Sequence, residues 1–243
     1  MILQIDIGNS ALKWRLRQNG LSVASGSTGR DEALPELPQP PEAVWVASVA
    51  DADSEQQFAA RVQAQWGLAP WFAHSSASAC GVINSYVEPA RLGVDRWLAM
   101  IAGFRLAAGP VCVVDAGSAL TIDFVDDGGR HRGGYILPGM AMMERALVGD
   151  TARVRFGDAA RDRLEPGAST AEAVFNGLQL AQVGAVATAL ERFGGDSKLV
   201  LCGGNGAELQ RLLGRGGSFV AELVLDGLEQ LALASEPAGV GAA

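Results

Sequence analysis

Apolar residues carry the chain through Ile2–Ile7 and alternate again over Ala11–Leu16, with Gly8-Asn9 between them: two strands closed by a tight hairpin. A third strand is expected over Leu21–Ser25, then a surface loop holding Pro35, Pro38, Pro40 and Pro41. The apolar run Ala43–Val49 suits a buried parallel strand, and Ala52–Trp66 has helical composition, with Asp51 or Asp53 placed to cap it. Strand followed by helix implies a crossover connection. Gly81–Tyr86 reads equally as strand or ordered loop, whereas Leu92, Leu98, Ile101 and Leu106 recur at helical intervals. Gly109-Pro110 then breaks the chain.

The pattern begins again at Val111. Apolar residues run up to Asp115, Ala116-Gly117-Ser118 turns the chain, and Ala119–Val125 leads away with Thr121 and Asp123 at alternate places. A further strand through Gly133–Leu137 ends at Pro138-Gly139, and Met140–Val148 reads as helical. Ser169 and Glu172 have capping-box spacing at the head of a long helix reaching about Phe193. A strand over Lys198–Cys202, a turn at Gly203–Gly206, a helix over Ala207–Leu213, a last strand over Phe219–Leu225 and a helix around Gly227–Ala234 complete the reading. The repeated strand–turn–strand grammar predicts an α/β protein of two domains, 1–108 and 109–243, facing each other across a cleft. The C-terminal helix is free to cross back onto the first domain. Ligand would bind at the strand ends where glycines allow close approach.

Composition narrows the function classes. A chain of 243 residues with 49% hydrophobic and 19% charged residues has the make-up of a globular protein able to bury a core. A formal net charge of −8 argues against a protein that coats nucleic acid, but not against one that binds a nucleotide through local charge and aligned amides. Cys80, Cys112 and Cys202 are odd in number, far apart and outside metal-ligand spacing, which predicts free thiols in a reducing compartment. No signal-peptide pattern and no uninterrupted apolar span long enough for a bilayer is read, so a cytoplasmic location without membrane attachment is expected. His74 and His131 have no partner pattern and are expected at the surface.

Asp6 and Asp115 each end an apolar strand, where a buried charge needs a cation or donors. Across a cleft the pair could hold Mg²⁺ directly or through water; singly, each could accept N–H bonds from its own turn. Gly8-Asn9-Ser10 and Gly117-Ser118-Ala119 supply small residues whose amides can wrap phosphate oxygens. Lys13 reads either as a point charge beside them or as a solvated strand lysine. Asp95 and Arg96 either cap or pair at the head of their helix, or offer a carboxylate to take a hydroxyl proton and a guanidinium to hold an anion.

The ordered set Asp6-x-Gly8-Asn9-Ser10-x-x-Lys13, Gly93-x-Asp95-Arg96, Asp115-x-Gly117-Ser118-Ala119-x-Thr121 and Gly133-Gly134-x-Ile136-x-Pro138-Gly139 resembles the type III pantothenate kinases. They belong to the actin/hexokinase-like ATPase superfamily, and the likeness runs from Met1 to about Gly206. The resemblance implies two ribonuclease-H-like domains and ATP-dependent phosphorylation of the terminal hydroxyl of pantothenate, the first step towards coenzyme A. It also implies a homodimer that uses Mg²⁺ and a monovalent cation, K⁺ or ammonium. By motif, Asp95 would be the base, Arg96 a contact for the pantothenate carboxylate, and Asp6 the organiser of Mg²⁺ and phosphate. Gly8, Asn9, Ser10 and Lys13 would lie at the phosphates, Gly117, Ser118 and Thr121 near the nucleotide, and Asp115 at the monovalent cation. Tyr86 and Gly93 would line the pantothenate pocket, with Thr170 reaching it from the partner subunit.

Two departures stand out. Ser10 and Ser118 replace the more usual Thr while keeping the hydroxyl, and the segment after Gly26 lacks the Arg-Thr pattern of relatives, so Thr28-Gly29-Arg30 receives no role. Two other functions remain compatible with the pattern: a sugar or acetate kinase of the same superfamily, which would share the hairpins but not the Gly93–Arg96 site, and a nucleotide-binding regulatory protein, which Asp95 opposes.

Overall fold

The computed structural model describes residues 1–9, 11–30, 32–150 and 163–235. They form two compact units, Met1–Ala102 joined by the chain from Leu223, and Gly103–Glu222.

The first unit is built on β1 (Ile2–Ile7), β2 (Ala11–Gln18), β3 (Leu21–Gly29), β4 (Ala43–Ser48) and, after helix α1 (Ala52–Trp66), the short β5 (Trp71–Phe72). The sheet order is β3-β2-β1-β4-β5, with the first three strands antiparallel and β4 and β5 parallel to β1. Asp51 caps α1 by accepting the Ser54 N–H at 2.8 Å, and Gly67 at φ 70° ends it. Leu3, Ile5 and Ile7 face a core completed by Leu12, Leu16, Val44, Val46, Phe58 and Val62. Strand alternation sends Gln4 and Asp6 to the opposite face.

Two short strands, β6 (Ser78–Ala79) and β7 (Val82–Ile83), and a 3₁₀ turn at Pro89–Arg91 lead into α2 (Val94–Ala107). The second unit repeats the plan with β8 (Val111–Ala116), β9 (Ala119–Val125), β10 (His131–Pro138), α3 (Met140–Asp150), α4 (Thr170–Ala189), β11 (Lys198–Cys202), α5 (Gly206–Leu213) and β12 (Ser218–Phe219). Its order, β10-β9-β8-β11-β12, is the order of the first sheet. Ser169 and Glu172 form the capping box at the head of α4, and a π-turn at Leu190–Gly194 extends it. By length and composition the run Thr170–Gly194 could cross a membrane. Here it packs on β9, α3 and α5 and sends Val186 and Ala189 into the core.

Two expectations are corrected. The last strand stops at Phe219, and Leu223–Ser235 is helix α6, because a continuous apolar run cannot by itself distinguish a buried strand from a buried helix. α6 returns to the first unit, packing on β1 and β4, where buried Arg15 meets Asp226 at 2.6 Å and Glu229 at 3.3 Å. His131 is not a surface residue: it is 3% exposed and lies 3.0 Å from the Asp123 carboxylate, beside a β-bulge at Gly133 (φ 94°).

Candidate active site

In the first hairpin β1 ends at Ile7, and the Gly8 N–H donates to Ala11 O at 3.0 Å, closing the turn. A Cβ at Gly8 would stand 3.3 Å from that carbonyl, so the tight turn favours glycine. Asp6 and Lys13 are cross-strand partners and so share a face. Asp6 is half-buried, while Lys13 and Asn9 are exposed. A half-buried carboxylate and an exposed ammonium thus share one face near the turn, a combination suited to phosphate and its cation. Ser10 lies outside the described residues.

A second constellation gathers at the head of α2. Asp95 is half-buried in the first turn, and its Oδ1 accepts the Arg96 backbone N–H at 2.8 Å. A Cβ on Gly93 would come within 2.6 Å of that oxygen, so glycine leaves the carboxylate its room. The Gly93 carbonyl accepts the Trp97 N–H at 3.0 Å and starts the helix. Arg96, 6% exposed, donates from Nη1 to the Tyr86 hydroxyl at 2.8 Å, with its Cζ 5.8 Å from the Tyr86 ring centroid. A guanidinium held in this way presents a fixed charge to an anion, next in sequence to a carboxylate able to take a proton.

In the second hairpin Asp115 and Thr121 are cross-strand partners, and the Gly117 N–H donates to Ala119 O at 2.9 Å. Two later glycines press on this turn. The Gly139 N–H donates to Ser118 O at 3.1 Å, and a side chain on Gly139 would collide with that carbonyl. Gly203, at φ 83°, leaves no space for a Cβ against the Asp115 carboxylate, and the Asn205 N–H donates to Ala116 O at 2.9 Å. Thr170 is exposed at the first turn of α4.

Among the described residues no three His, Cys, Asp or Glu side chains gather as a metal cage. Single carboxylates at Asp6 and Asp115 fit hard cations that complete their shells with phosphate oxygens and water. Burial, and then the charge of Asp123, pushes the Cys112 thiol up to about 12. Cys80, Cys112 and Cys202 are all free thiols.

Gly203 was legible only as turn punctuation, and Gly139 as that and as the end of a family motif; their close approach to Asp115 and Ser118 joins positions remote in sequence. Asn84 carried no periodic signal, although it is buried and organises the loop before Tyr86.

The chain matches the sequence pattern of the family described as Type III pantothenate kinase over residues 2–192. It is 37% identical to the Type III pantothenate kinase of Pseudomonas savastanoi pv. phaseolicola, over 94% of this chain and 97% of that protein. It is 39% identical to that of Alcanivorax borkumensis, over 96% and 98%. Among solved structures, a Baf-family protein from Campylobacter jejuni described as a transcriptional activator aligns with a TM-score of 0.63 at 21% identity, covering 95% of this chain and 97% of that one. The ethanolamine utilization protein EutJ from Carboxydothermus hydrogenoformans aligns at 0.53 and 14% identity, covering 96% and 89%. At these identities the structural likeness bears on the fold alone.

Proposed function

We infer the reaction from the family: this chain belongs to the type III pantothenate kinases, and it transfers the γ-phosphoryl group of ATP to the terminal hydroxyl of pantothenate. The observation that carries this reading in the chain itself is the Tyr86–Arg96 contact beside Asp95. Pantothenate has a carboxylate at one end and a hydroxyl at the other. Arg96, with its guanidinium fixed on Tyr86, binds the carboxylate, while Tyr86 and Gly93 line the pocket. Asp95 accepts the hydroxyl proton as the oxygen attacks the γ-phosphorus in line with the leaving oxygen. Its carboxylate need take that proton only late.

Gly8, Asn9 and Lys13 lie at the phosphates, with Ser10 in the same motif. Gly117, Ser118 and Thr121 serve the nucleotide. Asp6 would hold Mg²⁺, which would supply charge neutralisation at the phosphates. A monovalent cation, K⁺ or ammonium, is assigned to Asp115, a reading supported by the half-buried carboxylate packed under Gly203. The active species is a homodimer in which Thr170 contributes to the partner's acceptor pocket. In support, only 33% of the most apolar window of Thr170–Gly194 is buried within one chain, and Leu180 stands 55% exposed. The enzyme works in the cytoplasm, in keeping with its free thiols.

A coupled assay of the purified protein over ATP with pantothenate, simple sugars and acetate, with K⁺ present or absent, tests the reading. Turnover on pantothenate alone, enhanced by K⁺, is expected. Turnover on a sugar or acetate instead would make it another kinase of the superfamily, and nucleotide binding without turnover would make it a regulator.

A further inference from the structure

The acceptor corner rests on a loop with little regular structure. Between Phe72 and α2 the chain has only β6, β7 and the 3₁₀ turn, so few ladder bonds fix where Tyr86 stands. One buried side chain takes their place. Asn84, 9% exposed, donates from Nδ2 to Ser76 O at 3.2 Å and to Pro89 O at 3.1 Å, and its Oδ1 accepts the Tyr86 N–H at 3.0 Å. Its own N–H donates to Ala77 O at 2.9 Å. A carboxamide oriented this way serves two carbonyls and one N–H at once, which neither a carboxylate nor a hydroxyl can reproduce. Three points of the loop are thereby tied together, and the residue so fixed is the one whose hydroxyl receives the Arg96 guanidinium.

We propose that Asn84 is a positioning residue for the acceptor: by fixing the Tyr86 backbone it sets the Tyr86–Arg96 contact and hence the place of the substrate carboxylate. The proposal rests on the assignment of Arg96 and Tyr86 to that carboxylate. Asn84 acts through the loop it ties together at Ser76, Ala77, Tyr86 and Pro89, so its influence falls on the pantothenate KM and leaves ATP affinity intact.

The test is steady-state kinetics on the full-length enzyme carrying Asn84→Ala, the isosteric Asn84→Asp, Tyr86→Phe, or Asn84→Ala with Tyr86→Phe, with ATP titration as the check on folding. Either change at Asn84 is expected to raise the pantothenate KM about tenfold, the scale of one lost fixed contact, with the ATP KM within about twofold of wild type. In the Tyr86→Phe background the added effect of Asn84→Ala should shrink below about twofold, because both act through one contact. A pantothenate KM unchanged in both Asn84 variants would overturn the proposal, as would equal losses for both substrates or full additivity with Tyr86→Phe. If Tyr86→Phe and Arg96→Lys themselves left the pantothenate KM unchanged, the carboxylate assignment would fall instead. Failure of both Asn84 variants to bind ATP would mark the residue as structural and also overturn the proposal.

Discussion

The Arg96 guanidinium and the Tyr86 hydroxyl lie 2.8 Å apart, with the arginine beside the tyrosine ring. Arg96 is nearly buried, so its charge is held in one place instead of sampling solvent. Lysine carries the same charge without the planar fork. Arg96→Lys should therefore raise the pantothenate KM by about ten- to a hundredfold while the ATP KM stays near wild type, given the larger worth of charge-assisted bonds. Steady-state kinetics with each substrate varied in turn checks this.

Asp95→Asn keeps an oxygen at the position that accepts the Arg96 N–H, so the head of α2 survives the change. Only proton acceptance is removed. Turnover should fall by about a hundredfold or more while ATP binding is retained. Substantial residual turnover in a single-turnover experiment would remove Asp95 as the base.

Gly203 combines φ 83° with the absence of space for a side chain against Asp115, whereas its neighbour Gly204 meets nothing within 4 Å. Gly203→Ala should destabilise the protein by about 1–3 kcal/mol, and Gly204→Ala by much less. Thermal unfolding of the two variants side by side makes the comparison.

The Cys112 thiol is held up to about 12 by burial and the nearby Asp123, against an ordinary value of 9.0. The unfolded chain therefore loses this proton more easily than the folded one. Stability from this group is intact below about pH 9 and falls by about 1.4 kcal/mol per pH unit above it, until the folded thiol also ionises. Denaturant midpoints between pH 8 and 11 should drop more steeply in the wild type than in Cys112→Ala. Native alkylation should label exposed Cys80 and spare buried Cys112.

Removing Arg15 takes the cation from Asp226, while Glu229 keeps Arg17 at 3.0 Å, and it takes the donor from buried Gln4. Arg15→Ala should cost about 1–2 kcal/mol in urea unfolding, below the scale of a fully buried pair because Asp226 is 38% exposed and solvent takes part of the charge.

The amino-acid sequence by itself determined what depends on neighbours along the chain. Hairpins at Gly8-Asn9 and Gly117-Ser118, the Asp51 cap and the Ser169–Glu172 box arise from turn chemistry and periodicity within a few residues. The family motifs were legible for the same reason, since each is contiguous. Tertiary structure alone decided the rest. Leu223–Leu225 became helix because α6 could lie against β1 and β4, more than 170 residues away along the chain. His131 went inside because Asp123 waited on the adjoining strand to receive it. Gly203 owes its glycine to Asp115, and Asn84 its weight to carbonyls on either side of Tyr86. Burial and hydrogen-bond satisfaction are properties of what surrounds a residue, and those surroundings exist only once distant segments have packed.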